Sequence, residues 1–250
     1  MRWAMFKWLA MLIACLLSSP ALADSVAHTM DAAQILAASD KARGGGLPGI
    51  AWQVTVETVK AGRDADSMGL EVKSNGDDNL MEIQSPAKAR GRKILMRKNN
   101  MWFSSPKVRK PVPISPRQRL SGQASYGDVA ATDYVRDYTA TLVGSETIDG
   151  ESCHVLDLVA ATPSVTYDRI KYWVAQTSGL GVKAEFYTVS GKLIKTARFQ
   201  YDNTIQYEGR SIPFVSRMQI TDTLAADSVT TLTYSSIETR PLSARDFQLN

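Results

Sequence analysis

Residues 139–160 read TATLVGSETIDGESCHVLDLVA, and this stretch decides the fold class. Two β-like runs, Thr139–Ile148 and Cys153–Ala160, flank Asp149-Gly150, and such a turn between two runs predicts a β-hairpin. The same pattern continues to the C-terminus, where strands are predicted at 169–176, 182–189, 193–205, 211–223 and 229–239. Successive hairpins at this spacing predict an antiparallel meander.

The first half of the chain shows the same period of two. Trp52, Val54 and Val56 share one face of a strand predicted to begin at Ile50. Shorter strands are predicted at 68–72, 80–83, 94–96 and 101–103, with turns at Asn75-Gly76 and Asn99-Asn100.

One helix is predicted ahead of these strands. Asp31 and Gln34 have the spacing of a capping box. Gly44-Gly45-Gly46 then ends the helix, and Pro48 prevents it from resuming. This helix is short and weakly apolar, so we expect it to lie as a cover on the sheet.

The segment 101–134, MWFSSPKVRKPVPISPRQRLSGQASYGDVAATDY, separates the two groups of strands. Its four prolines exclude a regular helix or a central strand over most of its length. A short helical piece is predicted at 126–135. Because long loops in compact domains are usually functional or disordered, we interpret this one as a gate and docking surface across the mouth of the sheet.

These elements define a mainly β (α+β) fold. About ten or eleven strands with few helices must curl or split, since flat open sheets of that size are uncommon. We predict a single curved antiparallel sheet with an apolar concave side, covered by the N-terminal helix and by the long loop with its short helices. The pattern does not favour an α/β fold, which requires long helices between the strands.

The first 23 residues have the three parts of a secretory signal peptide. Arg2 and Lys7 accompany an apolar run to Leu17, and Ala21-Leu22-Ala23 fits a cleavage site. We therefore predict a leader at 1–23 and a single periplasmic domain at 24–250. The alternative is a lipid anchor at Cys15, which ends a sequence similar to a lipobox.

Basic residues are concentrated in one segment. Between Lys88 and Arg119 the chain has eleven Lys and Arg residues and no Asp or Glu. This segregation indicates an electrostatic partner. For an exported protein we expect anionic lipid headgroups or an acidic protein surface, and no nucleic acid. The candidate docking residues are Arg109, Lys110, Arg117 and Arg119.

The sequence offers little from which a catalytic or metal site could be built. His28 and His154 are its only histidines, and they are a poor basis for a metal site or a Ser-His-Asp triad. It has no Walker A or G-x-G-x-x-G phosphate loop. Cys153 lies in a strand pattern and is predicted to be a small buried hydrophobe. We predict no enzyme, no cofactor and no metal.

The remaining site candidates are apolar side chains that could line a hydrophobic pocket on the concave face. Sequence alone does not sort them between the two faces, because that requires the strand register. They are Trp52, Val54, Val56, Met81, Ile83, Met101, Trp102, Phe103, Tyr172 and Phe186.

From about Asp31 to its C-terminus, the chain resembles the outer-membrane lipoprotein-sorting protein family, the LolA-like group. The most specific sequence motifs are NMWF at 100–103, VRKP at 108–111 and ISPRQRLSGQASYGDV at 114–129. They are supported by the helix 31–43 leading into WQV at 52–54, and by QSPA at 84–87, GRKIL at 91–95, GSETIDG at 144–150 and RDF at 245–247.

The resemblance implies an unclosed β half-barrel with helices as a lid over a cavity for acyl chains. It implies a periplasmic carrier of lipid, lipoprotein or another hydrophobic molecule, and an inner-membrane transporter as a partner. We expect a monomer. Two alternatives remain: an accessory subunit of an envelope transport complex whose pocket is filled by its own side chains, and an enzyme acting on lipid or glycan in which His154 takes part.

Overall fold

The computed structural model describes residues 31–131, 133–223 and 225–249. The predicted leader at 1–23, with Cys15, lies outside the described residues, as does His28. The first group of strands is β1 (Ile50–Lys60), β2 (Asp66–Ser74), β3 (Asp78–Ser85), β4 (Lys93–Arg97), β5 (Asn100–Ser104) and β6 (Val112–Ile114). Two very short strands follow, β7 (Arg119–Ser121) and β8 (Ala124–Ser125).

The second group begins after the long central segment. It contains β9 (Tyr138–Ile148), β10 (Glu151–Ala160), β11 (Arg169–Ala175), β12 (Gly181–Tyr187), β13 (Leu193–Gln200), β14 (Asn203–Tyr207), β15 (Arg210–Phe214), β16 (Arg217–Asp222) and β17 (Ala225–Thr239). The helices are α1 (Ala32–Lys41), α2 (Tyr126–Ala130) and α3 (Tyr134–Asp137), with 3-10 turns at Ala87–Ala89 and Ala244–Phe247.

Thirteen of these strands form one antiparallel sheet in the order β6-β5-β4-β3-β2-β1-β17-β16-β13-β12-β11-β10-β9. The sheet is open because β6 and β9 lie at its two edges. The predicted fold class is thus confirmed, with more strands than the ten or eleven expected. In this sheet, the strand missed by the sequence patterns is β6, which lies in the Pro-rich segment; the short pair β7 and β8, outside the sheet, was also not predicted. Pro113 fits in β6 because an edge strand has one side that needs no backbone donor.

The pairing of β1 with β17 joins the two groups of strands. Residues from Ile50 to Lys60 pair with residues from Thr239 back to Ser228. Val56 of β1 lies opposite Leu232 of β17, and Leu232 lies opposite Met218 of β16. All three side chains are buried. The first and last strands of the chain therefore form the centre of the sheet.

Two predicted strands, 193–205 and 211–223, are each broken in two, so their prediction as continuous strands is wrong. The Asn203 side chain donates to the carbonyl oxygens of Val215 and Tyr234, both at 2.9 Å. The Ser216 amide donates to Gln200 O at 2.8 Å. These bonds replace the ladder at the break, and β14 and β15 leave the main sheet as a separate hairpin.

The helices cover one face of the sheet. Asp31 and Gln34 form the predicted capping box at the start of α1. The helical piece expected at 126–135 is present as α2 and α3, with a break between them. Ile35, Leu36, Val129 and Tyr134 of these helices join the main core against the strands. We call this covering unit, formed by α1 with residues 119–131 and 133–137, the lid.

The opposite, convex face carries the C-terminal tail. Phe247 packs on Leu80 and Leu95 in a second apolar cluster that also includes Leu242 and Leu249.

The turn between β4 and β5 lies at Lys98-Asn99, with Lys98 at φ 51°, one residue earlier than the predicted turn.

Replacement of Leu232 by Ala tests the central position of β17. We expect Leu232→Ala to lower the free energy of unfolding by about 2–5 kcal/mol, because it leaves a cavity between β1 and β16. Thr233→Ala, at the exposed next position, is the control and should change it by about 0.5 kcal/mol or less. Urea denaturation measures both, and equal effects would contradict the assigned register.

Candidate functional site

The concave face brings together eight of the ten apolar candidates. Each is at most 2% exposed and belongs to one core cluster. Phe103 lies at the margin of the same cluster, half-buried. The eight residues are Trp52, Val54, Val56, Met81, Ile83, Met101, Tyr172 and Phe186.

Trp102 is not part of this face. It lies between Met101 and Phe103, and successive strand residues point to opposite faces. Its cross-strand neighbours are Leu95 of β4 and Pro113 of β6. Leu95 packs with the C-terminal tail on the convex side. The assignment of Trp102 to the concave set is therefore corrected.

Lid side chains occupy the space over the concave strands. Ile35 and Leu36 come from α1, Ala124 from β8, and Val129 and Ala130 from α2. All five are at most 1% exposed. A molecule bound against the concave face would therefore have to displace part of the lid.

The first attachment of the lid is a buried polar cluster at the C-terminal end of α1. Asp40 Oδ2 accepts a hydrogen bond from the Val135 amide at 2.9 Å, which ties α1 to α3. Ser39 Oγ and Tyr172 Oη are 2.9 Å apart, which ties α1 to β11. Beside them, the Arg43 guanidinium lies 4.2 Å from the centre of the Tyr134 ring.

The charges in this cluster are almost completely withdrawn from water. Asp40 is 3% exposed and Arg43 is 5% exposed. Burial raises the pKa of Asp40 to about 8, although Arg43 acts in the opposite direction. Burial lowers the pKa of Arg43, but Tyr134, Tyr172 and Asp40 raise it more, so Arg43 stays charged. Within the described part of the chain, Asp40 Oδ1 and Arg43 Nη1 have no hydrogen-bond partner.

The second attachment is centred on Asp128 of α2. This carboxylate accepts hydrogen bonds from the amide and hydroxyl of Ser125, at 2.8 and 2.7 Å, and from the Tyr167 hydroxyl at 2.6 Å. Lys195 of β13 places its Nζ 3.6 Å from Asp128 Oδ2. The Asp128 side chain is 2% exposed. Burial and this carboxylate raise the pKa of Tyr167, so its hydroxyl remains a donor.

Gly122 lets the lid approach the strands closely, and Gly127 lets it approach the loop between β10 and β11. Gly122 has φ +53°, and a Cβ there would overlap the hydroxyls of Thr58 and Thr230. The neighbouring Gln123 amide donates to Thr230 Oγ1 at 2.8 Å. A Cβ at Gly127 would overlap Thr166. Residues 121–128 of the central segment (SGQASYGD) thus cross the concave face in direct contact with β1 and β17.

The four docking candidates differ in what they contact. Arg117 forms two hydrogen bonds with Asp168, at 3.1 and 2.8 Å, and also donates to the carbonyl oxygens of Val165 and Pro163. It holds the central segment to the loop between β10 and β11. Arg109, Lys110 and Arg119 are exposed. Sequence reasoning missed the role of Arg117 because its partner Asp168 is fifty-one residues away.

Among the described residues, the geometry adds no candidate for a catalytic side chain. Cys153 is buried as predicted, and burial raises the pKa of its thiol. The described residues contain no group of three or more His, Cys, Asp or Glu side chains placed to hold a metal ion. Over the same ranges, none of the helices has the length and apolar character needed to span a membrane.

Comparison with known proteins gives both a family match and structural matches. A family model described as "Uncharacterized protein" matches residues 75–250. The crystal structure of the LolA superfamily protein NE2245 from Nitrosomonas europaea is 34% identical, with a TM-score of 0.79 over 88% of this chain and 98% of that protein. No curated protein matches the chain.

Two further structures share the fold at lower identity. A DUF1329 family protein from Desulfovibrio piger ATCC 29098 has a TM-score of 0.71, and an outer membrane lipoprotein-sorting protein domain from Vibrio parahaemolyticus has one of 0.70. Each is 20% identical over 87% of this chain, and the matches cover 95% and 96% of those proteins.

The Asp40 cluster predicts a dependence of stability on pH. The native state retains a proton on Asp40 up to about pH 8, whereas an ordinary carboxyl releases it near 3.8. Stability from this group is therefore fully present below pH 3.8 and is lost as the pH rises towards 8, by up to about 1.4 kcal/mol per pH unit. Asp40→Asn should flatten this decline.

Urea denaturation of both proteins between pH 4 and pH 8 measures the effect. Asn keeps an oxygen that can accept from the Val135 amide, so the variant isolates the titration. Asp64→Asn, at an exposed position, is the control and should leave the profile unchanged. A variant Asp40→Asn with the wild-type slope would show that Asp40 is not the group that titrates.

Proposed function

The chain belongs to the LolA superfamily, as the sequence resemblance indicated, and we propose that it is a non-enzymatic periplasmic carrier. In this proposal the concave face binds the acyl chain of a lipid or lipoprotein, or another hydrophobic molecule. The cargo moves between an inner-membrane transporter and an acceptor. Membership of the LolA superfamily, shown by the protein from Nitrosomonas europaea, supports a carrier function, and the lipoprotein-sorting domain from Vibrio parahaemolyticus has the same fold.

The observation that carries the proposal is the difference between how the sheet and the lid are held. Neighbouring strands of the sheet are joined by long backbone ladders, which run without a shift between β1 and β2 and with one irregularity, between Ala51 and Gln53, where β1 pairs with β17. The lid is held to its surroundings by separate hydrogen bonds, which join Ser39 to Tyr172, the Gln123 amide to Thr230, and Asp128 to Tyr167. These contacts can break without opening the sheet, and their loss exposes an intact apolar surface.

The energies involved permit an exchange of lid for cargo. Burial of an acyl chain is worth roughly 0.8 kcal/mol per CH₂ group, so a chain of about sixteen carbons contributes on the order of 12 kcal/mol. Exposure of a buried aliphatic side chain costs about 1.5–3 kcal/mol. A long acyl chain can therefore offset the exposure of a few lid residues such as Leu36 and Val129.

The filled concave face also favours a second candidate function. If the lid never opens, the protein is a non-catalytic accessory subunit of an envelope transport complex without its own cargo. It would then act through exposed residues such as Arg109, Lys110 and Arg119. This candidate predicts that a partner is captured in pull-downs, that reversal of these charges abolishes capture, and that no lipid is bound.

Cargo binding by delipidated protein distinguishes the two candidates. The carrier is expected to bind a fluorescent fatty acid and to retain lipid in native mass spectrometry when purified from cells. Asp128→Ala should speed loading by about tenfold or more, because hydrogen bonds to a charged group contribute about 1.5–3 kcal/mol to lid closure. Asp227→Ala removes a carboxylate that lies 3.9 Å from Lys60 on the surface, and should not change the rate.

The position of the probe provides an independent check. A photoreactive fatty acid should label peptides that contain Met81, Tyr172 or Phe186 on the concave face. Delipidated protein that binds no fatty acid would contradict the carrier function and leave the accessory function. Labelling restricted to peptides of the convex side, around Trp102 and Leu249, would contradict the concave site.

A further inference from the structure

The tip of the β5–β6 hairpin is an exposed mixture of cations and aliphatic side chains. All residues from Pro106 to Val112 are exposed. Val108 is 37% exposed and Val112 is 46% exposed. These two valines lie close in sequence to three basic residues, Lys107, Arg109 and Lys110. For these three the described part of the chain provides no ion pair within 4.0 Å.

Beside this tip lies an apolar groove on the convex face. It has a volume of about 460 Å³. Leu95, Trp102, Pro111 and Leu249 form its apolar lining, and Arg97 and Lys110 supply its positive charges. Arg97 is partly neutralised by Asp78, at 3.2 Å. A second groove shares Pro111 and Leu249 and carries Lys93 and Arg109.

We propose that the tip 106–112 and this groove dock the protein onto the surface of an anionic phospholipid bilayer. The proposal rests on the proposed function only for the presence of a membrane beside the protein. It adds a membrane contact that is separate from the cargo face. Val108 and Trp102 enter the headgroup region, while Lys107, Arg109 and Lys110 contact the lipid phosphates.

The combination of residues favours a bilayer as the occupant. Trp is enriched at membrane–water interfaces, and surfaces that pair basic with apolar side chains lie at the boundary of headgroups and acyl chains. The segment 88–119 contains no acidic residue. Its charge has a single sign, which complements an anionic lipid surface.

The docking surface is joined directly to the lid. The chain leaves the tip through β6 at the edge of the sheet and continues into β7, β8 and α2. Arg117 separates the two regions by holding the segment to Asp168. A bilayer bound at the tip would therefore lie next to the segment that covers the concave face, and Arg117 itself would not contact lipid.

Vesicle co-sedimentation of the delipidated protein tests the proposal. We expect binding to vesicles of phosphatidylglycerol and phosphatidylethanolamine, weakening in high salt, and no binding to phosphatidylcholine vesicles. Each basic side chain near an anionic bilayer contributes roughly a fivefold gain in partitioning. The triple variant Lys107→Glu, Arg109→Glu, Lys110→Glu should therefore lose about a hundredfold or more, and Val108→Asp should also bind more weakly.

A matched triple variant controls for net charge. Lys192→Glu, Arg210→Glu and Arg217→Glu reverse three exposed charges elsewhere and should retain most of the binding. Equal losses in the two triple variants, equal binding to neutral vesicles, no vesicle binding by the wild type, or retention only by an acidic protein would each overturn the proposal. Fatty-acid binding should persist in the tip variants, so failure of docking and failure of cargo binding can be distinguished.

Discussion

An apolar concave face cannot be left in water, and this constraint organises the molecule. A β-sandwich meets it with a second sheet, but this chain has a single main sheet. It uses α1 and a segment inserted between the two groups of strands. That segment leaves the edge strand β6, contacts Thr230 at the centre of the sheet through Gln123, and ends at β9 on the opposite edge. Its length follows from the distance that it must cross.

Much of this arrangement could be predicted from the sequence. Alternation of apolar and polar residues marked most strands, the capping box marked α1, and the prolines marked the central segment. Alternation alone did not assign Trp102 to a face, because assignment requires the pairing of β5 with β4. The Asn203 bonds that break two strands, the Arg117–Asp168 pair and the burial of Asp40 beside Arg43 all join residues distant in sequence or depend on packing. Local patterns contain no signal for them.

The two faces of the sheet have different chemistry. The concave face combines a large apolar surface with three buried polar groups, Asp40, Arg43 and Asp128, and the half-buried Lys195, near the points where the lid is attached. Buried charges of this kind contribute little net stability, since desolvation opposes their attraction. They do specify one position for the lid. The convex face instead has the C-terminal tail and the exposed cations near it.

The adjacency of β1 and β17 has a consequence for how the chain folds. The centre of the sheet pairs residues 50–60 with residues 228–239, almost the full described chain apart. Closing a loop of this length costs conformational entropy before the stabilising contacts between the strands can form. Proteins dominated by such non-local pairs therefore fold slowly. During synthesis, β2 to β6 can form a local meander, but β1 lacks its second neighbour until the last strand is available. The chain is thereby committed to its native state only when its C-terminal strand is free to pair.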